Sequence, residues 1–101
     1  PKSMNIRYAG FFNDSHGITQ LGRIVLDAWA FGILPREEDC EQWDLGRMQN
    51  LMQQVQEFWD AHGGLPSRLP AELSKEHQAT YSWAMDRART LGWSSALGED
   101  D

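Results

Sequence analysis

Between residues 45 and 62 the side chains divide into two faces, and that division restricts the chain to a fold built by packing helices. Met48, Leu51, Met52, Val55, Phe58, Trp59 and His62 recur at the spacing of one stripe on an α-helix. Gln49, Asn50, Gln53, Gln54, Gln56, Glu57 and Asp60 fill the opposite face. Such a stripe is stable only when another apolar surface covers it. Gly63-Gly64 ends this helix by supplying left-handed backbone without a Cβ penalty.

The covering surface is predicted over residues 18–31. Ile18, Leu21, Ile24, Val25, Leu26, Ala28, Trp29 and Phe31 occupy most of the circumference, leaving a narrow polar stripe through Thr19, Gln20, Arg23 and Asp27. A helix apolar nearly all round packs on more than one side, which makes this one the hub. Gly32 is its stop and Pro35 follows. Pro35 followed by Glu37, Glu38, Asp39 and Glu41 reads as the start of a short acidic helix over 36–43, its carboxylates complementing the helix dipole. Leu65 to Pro70 is an extended connector, with Leu65 and Leu69 pinning it to the core. A last helix starts between Pro70 and Ser74 and runs to Leu91. Its stripe is His77, Tyr81, Ala84, Met85, Ala88 and Leu91, with Gly92 as the stop and Trp93 packed back over Ala88.

Residues 4–12 alternate briefly at Ile6 and Tyr8, but the sequence offers no second strand to pair with them, so an irregular arm on the helices is expected. Asn13-Asp14-Ser15-His16-Gly17 is a turn rich in capping side chains. The expected fold is therefore all-α: a small helical bundle of three long helices plus one short acidic helix, with an extended N-terminal arm. Residues 4–93 form the single domain. Pro1-Lys2-Ser3 ahead of Met4 reads as a cloning remnant, and 94–101 as a frayed acidic tail.

A formal net charge of −6 over 101 residues lacks the basic face that phosphate tracking needs, so no direct nucleic-acid partner is expected. Arg68, Lys75, Arg87 and Arg89 are too dispersed to form a recognition surface. Cys40 is the single cysteine, which excludes an intrachain disulfide and favours a reducing cytoplasm. The most apolar stretch, Ile18 to Leu34, is broken by Arg23 and Asp27 and is short for a bilayer, so no membrane partner is expected either.

Catalytic and metal signatures are absent from the sequence. His16, His62, His77 and Cys40 have no metal-ligand spacing, and no metal or other cofactor is expected. Asp14, Ser15 and His16 are consecutive and cannot fold back into a triad. Cys40 lies among Glu37, Glu38, Asp39 and Glu41, which hold a thiol protonated. Gly63-Gly64-Leu65-Pro66 lacks the lysine of a phosphate loop. Whether the chain is an enzyme stays open, with the balance against it.

The aromatics remain. Five tryptophans are many for this length, and they supply core mass or an interface. Trp83 points away from the stripe of its own helix, so either the arm covers it or it joins Trp43 and Phe12 in a contact patch. The function expected is a small cytoplasmic protein–protein interaction or accessory module, with another protein or a second copy as partner. Its aromatic patch is expected to carry an acidic rim selecting a basic or neutral partner. The alternative is a small-molecule site between helices, lined by Trp29, Trp59, Tyr81 and His77, that binds a ligand or, as a dimer, catalyses on it. A third reading is an acidic mimic that inhibits a nucleic-acid-binding protein.

Overall fold

The computed structural model describes residues 7–92 and shows three α-helices: α1, Gln20–Ala30; α2, Leu45–Ala61; and α3, Ala71–Thr90. Two single 3-10 turns, Phe11–Asn13 and Pro66–Arg68, lie in the connections. The expectations for residues 1–6, for the cap contact of Trp93 and for the tail over 94–101 fall outside the described residues.

Helix α1 begins two residues later than its apolar pattern because Thr19 is its cap. The Thr19 hydroxyl accepts from the Gly22 N–H at 3.0 Å and donates to Asp14 Oδ2, which also accepts from the Tyr8 hydroxyl at 2.6 Å. Ile18 is buried although it lies outside the helix. A glycine is needed at position 22, since an added Cβ would stand 2.1 Å from the Gly17 carbonyl oxygen. Thus the turn over 14–17, the cap and the first helical turn are pressed against one another.

The hub reading is correct. Helix α1 packs against both α2 and α3, and it buries Ile24, Val25, Leu26, Ala28, Trp29 and Ala30. From α2 come Met48, Leu51 and Val55, while Met52 stays exposed at the edge of the stripe. From α3 come Thr80, Ala84 and Ala88, whose small side chains let the two helices approach closely. Leu91, placed on the inward stripe by its spacing, is exposed. Each large side chain buried here contributes about 1.5–3 kcal/mol. Leu69 is buried against Ala30 and Phe31 as the connector reading requires, but Leu65 is exposed.

Residues 36–43 do not form the short acidic helix. Cys40 and Gln42 both have φ of +67°, which is incompatible with a right-handed helix, and the segment is a series of turns. The carboxylates serve the loop: Glu38 Oε2 accepts from the Cys40 N–H, and Asp39 Oδ1 from the Glu41 N–H. What outcompetes the helix is the arm. Tyr8 N–H donates to the Trp43 carbonyl, Gln42 N–H to the Tyr8 carbonyl and Phe11 N–H to the Asp39 carbonyl, with Arg7 and Asp44 in an antiparallel bridge. The arm has found the pairing segment that its sequence pattern alone did not reveal.

Candidate functional site

Two regions collect the aromatic and polar side chains. The first is a groove where the arm meets α3. Gly10, at φ +102°, turns the chain into the 3-10 turn that carries Phe11 and Phe12. Phe11 is buried, edge-on to Trp29 with centroids 5.0 Å apart and stacked on Trp83 at 5.9 Å. Phe12 lies 6.3 Å from Trp83, and Trp29 lies 6.1 Å from Trp83. Trp29 forms the floor, 4% exposed, with its indole N–H donated to the Glu38 carbonyl at 2.9 Å.

The arm therefore covers Trp83 on one side only. Trp83 remains 43% exposed and Phe12 48% exposed, facing a groove of about 300 Å³ lined by Phe12, Trp29, Arg36 and Trp83. Exposed aromatics that adjoin one another are costly to leave in water and mark contact surfaces. Trp43 does not join them. Its ring lies under the Arg47 guanidinium at 3.9 Å, and it is not among the described residues that line the groove.

Among the described residues that line this groove the charged one is Arg36, and Arg87 lies beside Phe12. Arg36 donates to Glu76 Oε2 at 2.6 Å and to the Thr80 hydroxyl at 2.8 Å. Arg87 donates to the carbonyls of Phe12 at 3.2 Å and His16 at 3.4 Å, its guanidinium 5.1 Å from the Phe12 ring centre. Glu38 and Asp39 accept hydrogen bonds from their own loop, and neither is among the described residues that line the groove. The sequence gives no sign of Arg36 here and presents Arg87 only as one of four dispersed cations, because neither shares an element or a spacing with the arm.

The second region is centred on Asp27, the last residue of the polar stripe on the hub helix. Its Oδ2 accepts from Trp59 Nε1 at 3.2 Å; its Oδ1 accepts from the Tyr81 hydroxyl at 2.9 Å and lies 3.4 Å from His77 Nε2. One carboxylate thus ties α1 to α2 and α3. Around it His77, Phe31, Phe58 and His62 form a column of stacked rings, with successive centroids 5.7, 4.2 and 4.4 Å apart. Burial, then the Asp27 charge and hydrogen bond, drive the Tyr81 phenol pKa upward, so Tyr81 stays a donor. Trp59, Tyr81 and His77 are brought together as the pocket reading expects. Trp29 is not among them; it belongs to the groove.

A cleft of about 460 Å³ beside this cluster is lined by Pro66, Ser74, His77, Gln78, Tyr81, Ser82 and Met85. Asp27 does not line it, and both of its oxygens already have partners from the protein's own helices. This arrangement is an interhelical clamp. A lone carboxylate on a helix otherwise committed to the core was the signal that could have identified it, because such a group needs donors around it.

Cys40 is buried and its thiol is pushed up to about 12, by burial first and by Glu38 and Asp39 next, against a smaller opposing effect of Arg47. His16 Nδ1 accepts from the Ile18 N–H, and Asp14 joins Tyr8 to Thr19, so this stretch performs turn and cap chemistry. Among the described residues no group of three or more His, Cys, Asp or Glu could hold a metal ion, and no helix is long and apolar enough to cross a membrane. No family model matches the chain, and no curated protein or solved structure matches it.

Proposed function

We propose that this chain is a protein-interaction module whose contact face is the groove between Phe12, Trp29 and Trp83. The observation that carries this reading is the pair of adjoining exposed rings, Phe12 and Trp83, over a buried indole floor. The floor and Phe11 hold Trp83 from below, so docking a partner side chain orders little that is not already ordered. Tryptophan anchors of this kind dominate the free energy of interfaces, each costing about 2 kcal/mol or more when truncated. The chain acts, on this reading, as an accessory factor that recruits or masks its partner.

Trp83→Ala tests it. Because nearly half of the residue is exposed and the three-helix core does not depend on it, the variant is expected to retain the fold, with a melting temperature lowered by about 5–10 °C for the packing lost on Phe11 and Trp29. It is expected to lose at least about tenfold in capture of its partner from native cells, or in self-association by sedimentation. Equal capture and equal self-association by both proteins would end this reading. A second reading, a small-molecule site, is favoured by the cleft beside His77 and Tyr81; on that reading His77→Phe, and not Trp83→Ala, abolishes ligand binding.

A further inference from the structure

We infer that what enters this groove is an acidic, extended segment of another protein, presenting one apolar side chain with a carboxylate two residues to either side of it. The inference rests on the docking reading above and names the chemistry of the partner. Glu76, Thr80, Trp83 and Arg87 follow one another along a single face of α3 at helical spacing. Arg36, reaching from the connection after α1, is anchored on that face by Thr80 and Glu76. The exposed indole is therefore flanked by a guanidinium on each side along the helix.

Thr80 and Arg87 are seven residues apart, so the two cationic positions are separated by about 10 Å along the axis. On one face of an extended chain, the residues two before and two after a given side chain lie about 13 Å apart, which the reach of Asp or Glu side chains brings to both positions. An aspartate or glutamate at each end of such a span meets Arg36 and Arg87 while the side chain between them meets Trp83 and Phe12. Arg87 is the stronger attraction. Its hydrogen bonds go to neutral carbonyls, and it has no carboxylate partner among the described residues. Arg36 must share its charge with Glu76. No carboxylate is among the described residues that line the groove, so a basic segment would meet Arg36 and Arg87 with only Glu76, already paired to Arg36, to offset them.

The rest of the chain is acidic, with a net charge of −6. Arg87 is thus an uncompensated positive charge beside the groove on a negative body, which favours a short acidic segment over a long polyanion. A peptide fits that arrangement better than a nucleic-acid strand.

The test is selection of a random dodecapeptide library on the immobilised full chain, with counter-selection on Trp83→Ala. Peptides retained only by the parent are expected to carry an apolar residue with Asp or Glu two residues away on either side. A synthetic peptide of that pattern should bind Arg87→Gln about three- to fivefold more weakly than the parent. Changing its carboxylates to amides should weaken binding to the parent and change nothing further on Arg36→Gln/Arg87→Gln. That comparison alters the ligand alone, so it holds even if Arg87→Gln perturbs the Phe12 turn. Trp83-dependent peptides that are basic, or indifferent to charge, would overturn the inference and leave the docking reading standing. With no Trp83-dependent peptide at all, both fall. Displacement of the peptide by oligo(dT), or a Trp83-dependent dimer that excludes it, would assign the groove to another occupant and overturn the inference.

Discussion

Gly22→Ala is a substitution for which general helix rules and this structure predict opposite signs. Gly22 is the third residue of α1, where alanine ordinarily stabilises a helix by about 0.5–1 kcal/mol. Here the new Cβ would stand 2.1 Å from the Gly17 carbonyl oxygen and 2.9 Å from its carbon, whereas ordinary contact begins near 3.4 Å. Gly17 cannot retreat easily. A Cβ on Gly17 itself would meet the Phe11 ring at 2.8 Å, and Phe11 is wedged against Trp29 and Trp83. Relief must come from opening the first turn of α1, which loosens the Thr19 cap at about 1 kcal/mol, together with overpacking worth about 1–3 kcal/mol. The net is a loss of about 2 kcal/mol, or roughly 10 °C in melting temperature for a domain of this size. Gly46, in the first turn of α2, is the internal control: a Cβ there meets only Asp44 Oδ1, at 3.5 Å. Gly46→Ala should raise the melting temperature by a few degrees, through a gain of about 0.5–1 kcal/mol. Thermal melts followed by circular dichroism, with urea midpoints beside them, measure both. A Gly22→Ala protein melting at or above the parent refutes the close approach of Gly17.

Asp27→Asn keeps one acceptor oxygen and turns an amide N–H₂ toward groups that are themselves donors, so the urea midpoint should fall by the equivalent of about 2 kcal/mol; a change below about 0.5 kcal/mol would show that the clamp contributes little. Alkali should destabilise the fold. Cys40, pushed up to about 12, keeps its proton when folded, while an unfolded thiol loses it near 9, so the folded state binds the extra proton and stability falls as pH rises above about 9. Tyr8 and Tyr81, both raised by burial and by a carboxylate partner, act in the same direction above about 10. Urea midpoints that hold or rise between pH 8 and 10.5 would contradict this. At pH 8 the native thiol should react with an aromatic disulfide reagent about a thousandfold more slowly than the unfolded chain, from its thiolate fraction alone.

The helices were legible because their physics is local. The stripe from Met48 to Val55 and the wide apolar surface of α1 follow from a 3.6-residue period that no distant contact overrides. The 35–43 segment was not legible for the converse reason. Pro35 followed by four acids satisfies the rules for a helix start, yet Tyr8 and Phe11 offer the same backbone groups a non-local pairing, and that pairing decides the conformation. The two aromatic sites were readable only in halves. Trp83 betrays itself by lying off its helix stripe, and Phe12 by its place in an apolar arm. That Trp29 floors their groove instead of facing Tyr81 depends on its angular position on α1, where a helix apolar on nearly all sides gives no preferred direction. Thr80 was overlooked as a buried residue because its hydroxyl is satisfied by Arg36, which sits 44 positions earlier.

One wall of the groove hangs on main-chain bonds to a loop, while the other belongs to a packed helix. Detaching the arm costs three backbone hydrogen bonds and the burial of Phe11 and Tyr8, but it leaves the three-helix contacts in place. Affinity and global stability are thereby set by different equilibria. Any treatment that populates the arm-detached form divides apparent affinity by the fraction still closed, without moving the melting curve in proportion. Amide exchange would register this directly, with Tyr8, Phe11 and Gln42 exchanging faster than the interior of α1. The loop that failed to become a helix would then act as the latch on the binding face.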